Sequence, residues 1–148
     1  MKTLYSLLAL LLLSTPSYAV DLHMARSASS FPETMLKLQE TIKKHGYKVS
    51  RVQRVDIGLT AMGYKTDKYR VVFYGKAEEN ARLVKKYPYL IPYLPLKIAI
   101  FAEGEETLMI ASNPMLLLKQ SDPDLKPVVK KWEVDLEKII KEMRVAYE

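Results

Sequence analysis

Six of the ten tyrosines in this 148-residue chain fall between Tyr64 and Tyr93, where they alternate with Lys65, Lys68, Arg70, Lys76, Arg82, Lys85 and Lys86. An aromatic face gives a planar molecule something to stack on, and a neighbouring cation supplies charge for an anion. This pattern makes Tyr69, Arg70, Tyr74, Lys76, Tyr89 and Tyr93 the candidate ligand-binding residues. Their expected partner is a small anionic or aromatic ligand, or an envelope protein. The same mixture can hold single-stranded nucleic acid in a cytoplasmic protein, but the N-terminus described next argues against a nucleic-acid partner.

Met1-Lys2-Thr3, an apolar run from Leu4 to Leu13 and the small residues ending at Ser17-Tyr18-Ala19 are the three parts of a secretory signal peptide. Cleavage is expected between Ala19 and Val20, leaving residues 20–148 as a periplasmic or secreted domain. The apolar run is too short for a stable membrane anchor and no later stretch matches one, so no integral membrane segment is expected after cleavage. The chain has no cysteine, which removes disulfides, thiolate metal sites and a cysteine nucleophile together. The fold must therefore hold by packing.

A second group with possible chemistry is His23-Met24, near the new terminus. Imidazole and thioether together suit copper or haem, which makes this pair a metal candidate and a haem or copper carrier one alternative function. The spacing opposes it: His23 would be fourth after Val20, whereas an N-terminal copper clamp uses the third position, and no Met-rich repeat supports it. No cofactor is assigned.

Catalytic sets are missing. His23 and His45 are the only histidines, and His45 continues an apolar helical stripe, so no triad base is identified. Glu103, Glu105, Glu106, Asp122 and Asp124 lie in turns where water screens them, and the five glycines make no phosphate-cradling loop. No residue is assigned a catalytic role. An enzyme using Tyr and Arg as acid and electrostatic stabiliser is the remaining alternative, and it would need a tyrosine whose pKa lies far below about 10.

The elements that position these residues are readable in order. Asp21–Ser27 is a strand candidate with Leu22, Met24 and Ser27 inward. Ser30, Pro32 and Glu33 open a helix over 32–45, with Met35, Leu38, Ile42 and His45 on its buried stripe and Gly46 as its stop. Tyr47–Val55 reads as a strand, Asp56–Met62 as a short helix and Tyr69–Tyr74 as a central strand, apolar on nearly both faces. A helix over 77–86 follows. Pro88, Pro92 and Pro95 predict an extended connection over 87–96. Lys97–Ala102 and Thr107–Ser112 form a hairpin with Leu108 and Ile110 inward. Asn113-Pro114 opens a short helix, and a last helix over 127–146 carries Val128, Trp132, Leu136, Ile139, Met143 and Tyr147 on its apolar face with Lys and Glu opposite. The total is one α+β domain, a mostly antiparallel sheet with helices on one side, in a β-α-β-β-β-β-α-like order with short extra helices.

Charge divides along this order. Net charge is +6, yet residues 28–90 hold 13 Lys/Arg against 6 Asp/Glu, while residues 91–148 hold 8 against 10. The basic half points to an anionic partner.

The segments Tyr69–Lys76, Leu94–Phe101, Ala102-Glu103 and Ser112–Pro114, with Glu33-Thr34, Leu38 and Gly46 before them, follow one another as in the DUF302 family, which the chain resembles over about residues 24–145. It departs at Tyr74-Gly75-Lys76-Ala77, where many members have a Phe-Gly-Asn-Pro-like sequence. The resemblance implies a small α+β domain with helices on one side of a mostly antiparallel sheet. It implies no activity and no catalytic residues.

Overall fold

Five strands form one antiparallel sheet in the order β1-β5-β4-β3-β2. A computed structural model describes residues 22–118 and 122–144; the expected leader and Tyr147 lie outside these residues. The strands are β1 (Leu22–Ser27), β2 (Lys48–Arg54), β3 (Tyr69–Gly75), β4 (Leu96–Glu103) and β5 (Glu106–Ser112). The helices are α1 (Phe31–Lys44), α2 (Val55–Ala61), α3 (Ala77–Lys86) and α4 (Lys126–Glu142), with 3-10 turns at Pro88–Leu90 and Pro114–Leu117. The expected α+β class is what forms, and no helix among the described residues is long and apolar enough to cross a membrane.

Local chemistry sets the boundaries. Glu33 Oε2 accepts from the Ser30 N-H at 3.1 Å and from its hydroxyl at 2.8 Å, so the first turn of α1 is tied to its own cap. Gly46 ends the helix at φ +82°, a left-handed geometry that side-chain-bearing residues resist. The β4–β5 hairpin closes at Glu103↔Glu106.

One face of the sheet is covered by α1 and α4. Val72, Tyr74, Ile98, Ile100, Met109, Ala111 and Ala25 pack there against Leu38 and Ile42 of α1 and Val129, Trp132, Leu136, Ile139 and Ile140 of α4, all buried. Each fully buried large side chain contributes about 1.5–3 kcal/mol of apolar transfer.

Four expectations are corrected. In β1 the inward residues are His23, Ala25 and Ser27, while Leu22 and Met24 are 49% and 40% exposed. Side chains alternate across a strand, so Leu22 and Ser27 could never have shared a face. In β5 it is Thr107, Met109 and Ala111 that meet the helices; Leu108 and Ile110 take the opposite face. Residues 87–96 are not extended throughout. Pro88 sits at the first position of a 3-10 turn, where no N-H is needed, and Leu90, Ile91, Tyr93 and Leu94 each donate a backbone bond within that segment. Finally, α4 ends at Glu142 and buries two acids, Glu133 and Asp135, on the side expected to be apolar.

Candidate ligand-binding pocket

A cavity of about 410 Å³ opens at the end of the sheet where β3 and β5 finish and β4 begins. Tyr74 and Leu96, paired across β3 and β4, line it together with Ser112 at the end of β5. Leu136 of α4 completes the interior, Tyr89 and Tyr93 come from the proline-rich segment, and Pro114, Leu116 and Leu117 come from the second 3-10 turn. Lys97 and Asn113 are the lining residues that carry a cation and an amide. The lining is thus aromatic and aliphatic with a few polar groups, the usual make-up of a small-molecule site.

Both walls are fastened from outside. Tyr89 donates to Asp122, Tyr87 and Lys86 both donate to Asp124, and these aspartates precede α4. The Lys86 and Tyr87 hydrogen bonds hold the Asp124 carboxyl down at about 2. Burial, aided by the bond to Asp122, pushes the Tyr89 hydroxyl up to about 12. On the opposite wall the Asn113 side chain accepts from the Met115 N-H at 2.8 Å and caps the short turn that presents Leu116 and Leu117.

Beneath Tyr74 lies a buried polar network. The Tyr47 ring meets the Tyr74 ring edge-on, with centroids 5.4 Å apart, and its hydroxyl donates to Asp135 Oδ2 at 2.6 Å. Lys131 Nζ donates to the same oxygen at 2.6 Å. Burial works against the Asp135 charge, but these two donors hold its pKa below the ordinary carboxylate value. Burial raises both Tyr47 and Tyr74 well above a free phenol. This is the direction opposite to the one a phenolate base would need.

Three of the six candidate binding residues converge on the cavity: Tyr74, Tyr89 and Tyr93. The other three do not line it. Tyr69 is on the opposite face of β3, edge-on to Phe101 at 5.9 Å. Arg70 shares the Tyr74 face but lies four residues away along the strand, where it is paired with Asp56 and its guanidinium sits 5.8 Å from the Phe31 ring. Lys76 precedes α3 with its ammonium 5.4 Å from the Tyr47 ring. His23 and Met24 are not brought together either, because the imidazole turns towards α4 and the thioether to the other face. The sequence reading missed Leu96, Lys97, Pro114 and Leu136. A usable signal existed for Leu96 and Lys97, the two residues that follow the third proline, Pro95, and begin β4.

Comparison with known proteins adds a family and a fold. A comparison with curated proteins gives no match. Among solved structures, the chain is similar to the crystal structure of an uncharacterized conserved DUF302 protein from Bacillus stearothermophilus, at 21% identity and a TM-score of 0.66. The likeness covers 84% of this chain and 96% of that one, and at such identity it concerns the fold alone. The family model described as "Domain of unknown function DUF302" matches residues 23–143, nearly the whole described domain, and the chain therefore belongs to the DUF302 family.

Proposed function

We propose that this domain is exported to the periplasm or the medium, and that there it holds a small aromatic molecule bearing an anionic group without transforming it. The observation that carries the reading is the 410 Å³ cavity framed by Tyr74, Tyr89 and Tyr93. Its volume falls in the range of small-molecule sites, and its rings offer stacking surfaces for a flat ligand. Lys97 provides a cation for the anionic end, and Asn113 a polar neighbour. The raised tyrosines and the absence of a triad base support binding rather than catalysis. Export rests on the three-part leader at residues 1–19.

The fluorescent aromatic sulfonate 1-anilinonaphthalene-8-sulfonate tests the pocket. Saturable one-to-one binding is expected, weakened at least tenfold by Tyr93→Ala and by Lys97→Glu, both at exposed positions where folding is not at stake. Binding that both variants leave intact would place the dye elsewhere and refute the pocket as the site. Native mass spectrometry of protein taken from its own compartment then identifies a natural ligand as a co-purifying mass that Tyr93→Ala loses.

A further inference from the structure

Across the sheet from the tyrosines, β1 and α4 bring three ligating side chains together. His23 projects from β1 towards α4, where Glu133 and Glu137 stand one helical turn apart on the facing side. One ligand atom from each lies within 4.8 Å of the other two. His23 Nε2 is 3.2 Å from Glu133 Oε1, and the two side chains are only 11% and 10% exposed. Yet His23 Nε2 makes no aligned hydrogen bond, and neither does Glu133 Oε2, although both atoms are buried. Buried polar atoms are nearly always partnered, so two orphans on adjoining side chains call for a missing partner.

A proton shared between imidazole and carboxylate would account for one nitrogen and one oxygen. It leaves the second carboxylate oxygen empty. A cation takes lone pairs from all three groups at once. We infer that His23, Glu133 and Glu137 form a binding site for a borderline divalent first-row cation, of which Zn²⁺ is the type. One neutral imidazole and two carboxylates make a neutral complex with a dication, and no soft ligand is present to select Cu(I). Ligand atoms about 2.1 Å from a tetrahedral Zn²⁺ are roughly 3.4 Å apart, a separation the His23–Glu133 pair already has. Glu137 is exposed and closes the remaining distance by side-chain rotation. Three protein ligands leave one position for water or a ligand atom.

The other histidine shows what a plain ion pair looks like here. His45 Nε2 is 2.8 Å from Glu142 Oε1, properly hydrogen-bonded, and Lys44 Nζ occupies the second oxygen at 2.9 Å. That carboxylate is filled, and the lysine would repel a cation.

The test is calorimetric titration of Zn²⁺ into the chelator-stripped protein, with a competing chelator of known affinity. One Zn²⁺ per chain is expected at micromolar or tighter affinity, with a rise in Tm on saturation. His23→Gln, Glu133→Gln and Glu137→Gln should each weaken it at least tenfold, and His45→Gln should not. Circular dichroism of the stripped variants checks folding; if Glu133→Gln fails to fold, the His23→Gln and Glu137→Gln titrations decide. No saturable site below millimolar Zn²⁺, or a site that the folded variants weaken by less than tenfold, overturns the inference.

Discussion

Removing one hydroxyl, in Tyr47→Phe, measures how firmly the pocket's inner wall is held. Tyr47 is 3% exposed and Asp135 8% exposed, and their 2.6 Å bond is one of two that stabilise the charged aspartate. Phenylalanine keeps the edge-on contact with Tyr74 and the ring beneath the Lys76 ammonium, so the ring packing survives and the hydrogen bond alone is lost. A hydrogen bond to a charged group contributes about 1.5–3 kcal/mol, and loss of that amount is expected at pH 7. With a urea slope of about 2 kcal/mol/M, the midpoint falls by roughly 1 M. The pH dependence follows from the depressed Asp135 pKa. A carboxyl whose folded pKa lies below its unfolded value of about 3.9 contributes stability above that value and loses it as pH falls through the folded one. The gap between wild type and variant should therefore narrow below about pH 4. Urea unfolding at pH 7 and pH 3 provides the measurement. A loss under about 0.5 kcal/mol at pH 7, or an equal loss at both pH values, would refute the account of a charged aspartate stabilised by Tyr47.

Asp124→Asn removes the group that fastens Lys86 and Tyr87 to the start of α4; amide exchange at Leu90 and Tyr93 should quicken at pH 7 while β3 and β4 keep their protection. In the wild type the same loosening is expected as pH falls from about 4 to the Asp124 value of about 2, since its stabilisation is present above the unfolded pKa and lost through the folded one. Equal protection in both proteins would sever this clasp from the pocket wall. N-terminal sequencing of the protein recovered from the producing cell should begin at Val20; a mature chain that retains Leu4–Leu13 contradicts export by a cleaved leader.

Local chemistry was the legible layer. The Ser30-Glu33 cap, the Gly46 stop, the β4–β5 hairpin and the Asn113-Pro114 cap are each decided by neighbours within a few residues, and each forms where the residue types demand it. The tyrosine cluster was legible as composition but not as a site. Tyr69 and Tyr74 are an odd number of positions apart on one strand, so alternation sends them to opposite faces. Arg70 is on the Tyr74 face but about 13 Å along the strand at ~3.3 Å per residue, where Asp56 takes its charge. Pro88 misled because three prolines suggest extension, although the first residue of a 3-10 turn suits proline equally well. Glu133 had a signal that composition hides: it is four after Val129 and three before Leu136, so helical spacing alone places that acid on the core stripe.

The place of β1 in the sheet governs the order in which this chain can assemble. β2 to β5 form a meander in which each strand pairs with the next, so those contacts are local and can form as the chain emerges. β1 instead pairs with β5, Leu22 opposite Ser112, and the loop between them is the longest in the sheet. Closing a long loop costs entropy before any contact is returned, so β1 and the helix that follows it must wait for the whole meander. A chain halted before Ser112 has no partner for its first strand, and a chain halted before α4 has only α1 to cover Ile98 and Met109. The first strand to be made is thus among the last to be fixed.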